Sequence, residues 1–424
     1  MRHAIKLETS VRVLNVAFDV SQDSLNWFAE IDGQEFSGKV ANTTSAIEQV
    51  LKQLGRLATE HGYDEVRVIC ESTGVYHRSL LHLAVRRGMR TALAGGEAVA
   101  KLRVVESNDP GKTDLKDPRA ILTVALVGRL LIHRQLDGTY ECLREWHQLY
   151  CRADQKMSTA KTELHHALKL LFPDLKLAKD VLYGPTGRAL VEQYAADPQR
   201  IVRAGRKRFE AKLRKHAKGV KRKTLDAIYA AAEQSASQQR SAEVARIQSQ
   251  RVRDLYEETL FYKARKEAAG EEMKKLYRRL RELDRALPAA RKGVISELGA
   301  ARLLAETGPL SDFRNQRQLM RYAGLNLSER QSGRWKGQTK ICRRGRARLR
   351  KVLNILALSL VQRQRLFGNY YHGKKDRDRM PGDKAMTCVM RKLLKMFFGW
   401  YRSAQEFDES RVFVCASQYG RSAA

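Results

Sequence analysis

The sequence predicts an α/β segment at the N-terminus followed by a mainly helical remainder. Three observations carry this. Short apolar runs of partly alternating pattern, separated by turn signals, fill residues 11–94. Apolar residues spaced by three and four run through two later stretches. From Gly293 onward, helical runs flank a polar, cation-rich segment. A chain of 424 residues is long enough for two or three domains, each with its own core.

Residues 11–19, Val-Arg-Val-Leu-Asn-Val-Ala-Phe-Asp, form an apolar run ending in Asp19, as suits a buried strand with a carboxylate at its tip. Leu25–Ile31 and Glu35–Val40 read as two further strands in meander order, with Asp32-Gly33 as the hairpin signal. Asn42 and Thr43 can cap a helix carrying Ile47, Val50, Leu51, Leu54 and Leu57 at helical spacing. Glu65–Glu71 reads as another strand ending in a carboxylate, followed by Ser72-Thr73-Gly74. A helix over Val75–Arg87 and a strand over Arg90–Ala94 complete the α/β pattern. The stretch Asn108–Ala120 then places Asp109, Asp114 and Asp117 in one short loop. Asp, Pro, Gly and Lys are ordinary turn residues, so the neighbouring lysines could balance this loop; a divalent cation is the other counter-ion available. A helix over Ile121–Leu131 is expected to close the domain.

The period then changes to heptads. Leu143, Trp146, Tyr150, Ala153, Met157, Ala160, Leu164, Ala167 and Leu171 form one seam, ended by Pro173. Val252, Leu255, Thr259, Tyr262, Lys266, Ala269, Met273, Leu276, Leu280, Leu283 and Leu287 form a second, ended by Pro288. The pair suits an antiparallel hairpin, a dimerising arm or a plain helical bundle, and Thr259 and Lys266 are candidates for fixing its register. Between the seams, Arg203–Lys223 carries a dense basic run, either a solvated helix face or a surface that tracks phosphates. Past Gly293 a helix is expected to stop at Gly308-Pro309. Tyr322-Ala323-Gly324-Leu325 follows, and then the polar segment 326–338 with Ser328 and Ser332. A helix carrying Arg343, Arg344, Arg346, Arg348, Arg350 and Lys351 comes next.

Charge narrows the partners. Eighty Lys and Arg face 47 Asp and Glu, a formal net charge of +33, and a field of that sign attracts nucleic acid through its phosphates. No apolar run is long enough to span a bilayer and no signal-peptide layout is present, so a soluble, cytoplasmic and nucleoid-associated protein is expected. Cys70, Cys142, Cys151, Cys342, Cys388 and Cys415 form no C-x-x-C pair and read as reduced packing residues.

Two carboxylates at the ends of different strands, with an Asp-rich loop before a later helix, are what a two-metal nuclease requires. Two Mg²⁺ ions roughly 4 Å apart activate the attacking oxygen and stabilise the leaving one, and hard oxygen ligands must converge to hold them. On that reading Asp19, Glu71, Asp114 and Asp117 are ligands; singly, Asp19 and Glu71 are equally well read as residues that terminate strands. Ser332 can be a turn residue or a nucleophile served by Arg330, Arg334 and Lys336.

In their order and spacing, the strand ending in Asp19, Glu71-Ser72-Thr73-Gly74, Lys112-Thr113-Asp114-Leu115-Lys116-Asp117, Tyr322-Ala323-Gly324-Leu325, Ser332-Gly333 and Arg344-Gly345 resemble the insertion-sequence transposases of the one-ten type. The resemblance runs from about Val13 to Asp408 and leaves about 176–251 without a matching motif. It implies an RNase H-like (RuvC-like) DEDD domain over 1–135, a coiled-coil helical region with a basic insertion over 136–290, a small, mostly helical transposase domain over 291–408, and a tail over 409–424. It also implies a DNA transposase or recombinase directed by a structured bridge RNA, acting as a homo-oligomer, dimer or tetramer. Asp19, Glu71, Asp114 and Asp117 would carry Mg²⁺, and Ser332, with Ser328 as the alternative, would form a phosphoserine link to DNA. Arg330, Arg334, Lys336, Lys340, Arg343, Arg344 and Arg348 would hold nucleic acid. Metal and serine, on domains far apart in sequence, would meet within one subunit or across a dimer. The sequence departs from the family pattern at Pro118, where alanine is usual, so that Asp117 is either a ligand or a helix cap and Asp114 is the firmer ligand, and at Glu297-Leu298-Gly299, where Gly-x-Gly is usual. A RuvC-like junction nuclease using water, and a non-catalytic nucleic-acid-binding protein, are the competing readings.

Overall fold

The computed structural model describes residues 11–71, 74–107, 116–237, 241–328, 331–332, 335–336, 340–408 and 411–413. It divides into two compact units, Met1–Gln135 and Leu136–Ala424.

The first unit is built on strands β1 (Val13–Val20), β2 (Ser24–Ile31), β3 (Gln34–Ala41), β4 (Glu65–Glu71), β5 (Arg90–Ala94) and β6 (Leu131–Ile132), in the sheet order β3-β2-β1-β4-β5-β6. β1, β2 and β3 form the antiparallel meander, while β4 and β5 join β1 in parallel. An antiparallel hairpin edge, a central β1 and parallel strands beyond it form the RNase H-like arrangement. Asp32 and Gly33 take φ values of 50° and 81°, the left-handed pair that a tight two-residue hairpin turn demands.

Period-two alternation sends the two faces of the sheet into different cores. Leu14, Val16 and Phe18 of β1, with Val66, Val68 and Cys70 of β4, face helices α1 (Thr44–Glu60) and α2 (Arg78–Arg86). Ala17 and Ile69 face the other way, against Val99 of α3 (Gly96–Ser107) and Ala120, Ile121, Leu122 and Val124 of α4 (Lys116–Leu126). Thr43 caps α1 as its sequence suggests, accepting from the Ala46 amide. The closing helix lies earlier than its apolar residues suggest: α4 begins at Lys116 and stops at Leu126, and Leu131 pairs with β5 in β6. α2 begins at Arg78, after a turn at residues 74–77, where the sequence suggests Val75.

In the second unit the two heptad seams become α5 (Gly138–Leu171) and α11 (Ala242–Leu283). Tyr140, Leu143 and Tyr150 share a core with Ala269, Met273 and Tyr277, while Leu164, Leu168 and Leu171 share another with Val252, Leu255 and Tyr256. Opposite ends therefore meet, and the seams close an antiparallel pair within one chain. Lys266 spans the pair to Asp154 at 2.7 Å and lies 5.4 Å from the Tyr150 ring centre, a register contact of the kind its polar place in the seam suggests. Thr259 instead turns back on its own helix, donating to the Leu255 carbonyl. Between them, α6 (Lys179–Leu182), α7 (Pro185–Tyr194), α8 (Pro198–Ala204), α9 (Arg206–His216) and α10 (Arg222–Ala236) pack on the Leu171 end of α5.

The C-terminal segment adds α12 (Glu297–Thr307), α13 (Gln316–Tyr322), the short strands β7 (Leu327–Ser328), β8 (Gln331–Ser332), β9 (Trp335–Lys336) and β10 (Lys340–Ile341), then α14 (Ala347–Arg363), α15 (Arg365–His372) and α16 (Gly382–Ser403). One core runs from Tyr140 of α5 through Met273 of α11 to Leu304, Leu353 and Phe397, so the helical pair and the C-terminal helices share an interior. Past α16, Val412 enters the same core and Phe413 meets Phe367 edge-on at 5.1 Å.

Candidate active site

In the first unit, β1 and β4 are parallel neighbours with Phe18 opposite Cys70. One residue further on each strand stand Asp19 and Glu71, so register alone puts both carboxylates at the same end of adjacent strands, roughly 5 Å apart at the backbone. Alternation turns them away from Phe18 and Cys70, to the sheet face that α3 and α4 cover. Both side chains are partly exposed. Asp117 lies in the first turn of α4, which packs on that face, and inside the helix rather than at its cap. Asp114, Asp109, Ser72 and Thr73 lie outside the described residues. Among the described residues no group of three His, Cys, Asp or Glu side chains converges at metal-binding distance. Of the four predicted ligands, Asp19 and Glu71 are the two that strand register sets side by side among the described residues.

A glycine makes room for that pair. A Cβ on Gly96, the first residue of α3, would stand 2.5 Å from Glu71 Oε1. Oε1 is the far end of a flexible side chain, so Gly96→Ala should leave the melting temperature within a few degrees of wild type; if Glu71 holds a metal, displacing its carboxylate by about 1 Å should also lower metal-dependent DNA cleavage at least about tenfold. Thermal unfolding and a cleavage assay on the same preparation check both halves. Burial pushes the neighbouring Cys70 thiol up to about 12, with the Glu71 charge adding to it, so Cys70 is a packing residue.

In the second unit, β7 and β10 pair antiparallel with Ser328 opposite Lys340, and β8 pairs with β9 with Ser332 opposite Trp335. Ser332 is therefore the last residue of β8, whereas Ser328 lies in the exposed β7–β10 ladder. Arg330 and Arg334 lie outside the described residues. The base of the β7–β10 segment is held by an interlock of two motifs. The Arg343 amide donates to the Gly324 carbonyl at 3.0 Å, and the Arg346 amide donates to the Tyr322 carbonyl at 2.9 Å. A Cβ on Gly345 would stand 2.4 Å from the Gly324 nitrogen and 2.6 Å from the Tyr322 oxygen, so only glycine lets Arg344-Gly345 lie against Tyr322-Ala323-Gly324.

The cations around this segment divide by role. Lys340, Arg343, Arg344, Arg348 and Lys351 are exposed. Arg350 turns inward to the carbonyls of Ala323 and Gly345 at 3.0 and 3.1 Å. Arg346 pairs with Glu306, which is fully buried in α12. Glu306 Oε1 also meets Nδ1 of the equally buried His147 on α5 at 2.9 Å. Burial would raise the Glu306 carboxyl, but the His147 hydrogen bond and the Arg346 charge outweigh it and hold the group down at about 2. Sequence reasoning passed over this knot and over Gly96. The available signals were a lone carboxylate in the apolar run Leu303-Leu304-Ala305-Glu306 and a Gly-Gly pair between a strand and a helix. Glu297, at the altered Gly-x-Gly position, begins α12 and binds Arg278 through both oxygens at 2.9 and 2.6 Å.

The first unit is thus an RNase H-like sheet with Asp19 and Glu71 on neighbouring strands, and the second carries the paired strands β8 and β9, with Ser332 on β8. A family model for DEDD transposases of the IS110 type, described as Transposase, matches residues 16–173, and a model described as Transposase IS116/IS110/IS902 family matches residues 293–372. Together they take in more than half of the chain, and the chain belongs to the IS110-type transposases, enzymes that cleave and rejoin DNA. Among solved structures, T. thermophilus RuvC in complex with Holliday junction substrate is similar at 10% identity over 28% of this chain and 99% of that one, with a TM-score of 0.22. None of the curated proteins matches. Among the described residues no helix is long and apolar enough to cross a membrane.

Proposed function

We propose that this transposase exchanges DNA strands with Asp19, Glu71, Asp114 and Asp117 as its metal-holding carboxylates and Ser332 as its nucleophile. The observation that carries the reading is the register of β1 and β4, which sets Asp19 beside Glu71, with Gly96 leaving the Glu71 carboxylate its space. An all-oxygen donor set suits a hard divalent cation, Mg²⁺ in preference to zinc. When bound, Mg²⁺ supplies charge to a phosphodiester and lowers the cost of its leaving oxygen. Ser332 contributes the attacking hydroxyl: its oxygen bonds to phosphorus as the bond from phosphorus to the departing DNA oxygen breaks, and that oxygen leaves with a proton. One phosphoester replaces another, so the link can be reversed for rejoining. Lys340, Arg343, Arg344 and Arg348, with Arg330, Arg334 and Lys336, offset the phosphate charge.

We further assign residues 1–135 to the carboxylate domain, 136–290 to the helical region and 291–408 to the serine-bearing domain. A guide RNA is consistent with the +33 net charge, and an oligomer with the exposed apolar residues Val244, Ile247 and Phe261 along α11. On element-end DNA supplied with RNA transcribed from the flanking sequence, Ser332→Ala should eliminate a denaturation-resistant protein–DNA adduct while retention in a gel-shift assay persists. Full cleavage by Ser332→Ala would instead establish water as the nucleophile, and loss of the adduct in Ser328→Ala alone would move the role to Ser328.

A further inference from the structure

We propose that Cys151 is a peroxide-oxidisable thiol site, activated by a Cys151–His147–Glu306 relay that opens onto a cation-lined cleft of the second unit. It does not depend on the roles of Ser332 or of the carboxylates in the first unit.

The relay follows from the helix. His147 and Cys151 lie four residues apart on α5, hence on one face one turn apart. Glu306 accepts from His147 Nδ1 at 2.9 Å, which fixes the imidazole with Nε2 towards the sulfur, 3.3 Å away. Arg346 holds the other Glu306 oxygen, so the carboxylate keeps its charge beneath the ring. Arg302, only 8% exposed, lies with Nε 3.5 Å from the same Nε2 and its guanidinium 5.0 Å from the Tyr150 ring centre. At 3.5 Å that nitrogen is at the outer limit of a hydrogen bond, so the sulfur is the better placed partner. Cys151 is half-buried and lines a cavity of about 500 Å³ together with Arg152, Arg302, Arg348 and Lys351; Glu145 is the acid on that wall.

Burial pushes the Cys151 thiol up, but the hydrogen bond and charge of His147, with the Arg302 charge, outweigh burial and the opposing Glu306, leaving the thiol below its ordinary range. Burial likewise disfavours a charged His147, yet its bonds to Cys151 and Glu306 leave it raised. Both shifts run in the sense that favours passing the proton from sulfur to imidazole. A partly exposed thiolate among cations is the setting in which cysteine reacts. With hydrogen peroxide, the sulfur attacks one oxygen, an S–O bond forms and the O–O bond breaks. Sulfur loses two electrons and peroxide gains them. The departing hydroxide takes the His147 proton and leaves as water, so Cys151 ends as the sulfenic acid.

Cys142 lies exposed on the same helix and serves as internal standard. In the full chain at about pH 6.5, iodoacetamide should label Cys151 several-fold faster than Cys142, read by peptide mass spectrometry, because each unit by which a thiol lies below the ordinary pKa of about 8.5 gives up to about tenfold more thiolate. Peroxide followed by dimedone should add to Cys151 and spare Cys142. Slower labelling of Cys151 than of Cys142 across roughly pH 6–9, or no dimedone adduct on Cys151, would overturn the proposal. The comparison lies within the wild-type chain, so no buried residue has to be replaced.

Discussion

Replacing Asp19 with asparagine should lower metal-dependent cleavage roughly a thousandfold, the rate equivalent of about 4 kcal/mol of transition-state stabilisation, with DNA binding retained. The amide keeps the shape and the strand hydrogen bonds but removes the charge that would hold a hard cation. Asp19 is partly exposed and sits opposite Asn26 at the strand end, so the sheet loses no apolar contact. Circular dichroism and thermal unfolding should match wild type. Cleavage across a Mg²⁺ titration separates the outcomes: activity within a few-fold of wild type at all concentrations would remove Asp19 from the site, and rescue at high Mg²⁺ would show a weakened ligand set. Glu71→Gln should behave in the same way.

Glu306→Ala should destabilise the second unit by about 3–5 kcal/mol, the usual loss when one partner of a buried ion pair is removed and the other charge stays. The substitution strands Arg346 and His147, which both depend on that carboxylate. Arg346 immediately precedes α14 and its amide also binds the Tyr322 carbonyl, so the base of the serine-bearing segment should loosen with the core. Denaturant unfolding of wild type and variant measures the difference; a loss under about 1 kcal/mol would mean that the knot relaxes freely. The same carboxylate sets an acid limit. Its folded pKa of about 2 lies below the ordinary 4.5, so its contribution is complete above pH 4.5 and is lost as pH falls towards 2. Stability of the second unit should decline through that window, and the decline should be shallower in Glu306→Gln.

The sequence reaches Asp19 and Glu306 to different depths. Asp19 and Glu71 were visible as carboxylates closing apolar runs, because a buried strand announces itself by composition and its tip by the first charge. Their adjacency was not visible. It depends on β4 crossing over to pair with β1 in parallel, a non-local choice made by two cores on opposite faces of the sheet. Glu306 and His147 were opaque for a related reason. Each is an isolated polar residue in a helical pattern, and the two lie 159 positions apart in the chain.

By itself the sequence determined strands β1 to β5, the hairpin turn, the long helical seams, the family motifs and a net charge of +33 that favours nucleic acid. These are local or additive properties, carried by spacing, turn chemistry and counting. Tertiary structure alone decided that α5 and α11 close on each other antiparallel and that Arg344-Gly345 lies against Tyr322-Ala323-Gly324. It also decided that Arg346 is an internal tie while Arg348, two residues on, is exposed. Such outcomes rest on which distant surfaces exclude water together and which buried charge finds a counter-ion, and neither is written in any single stretch of chain.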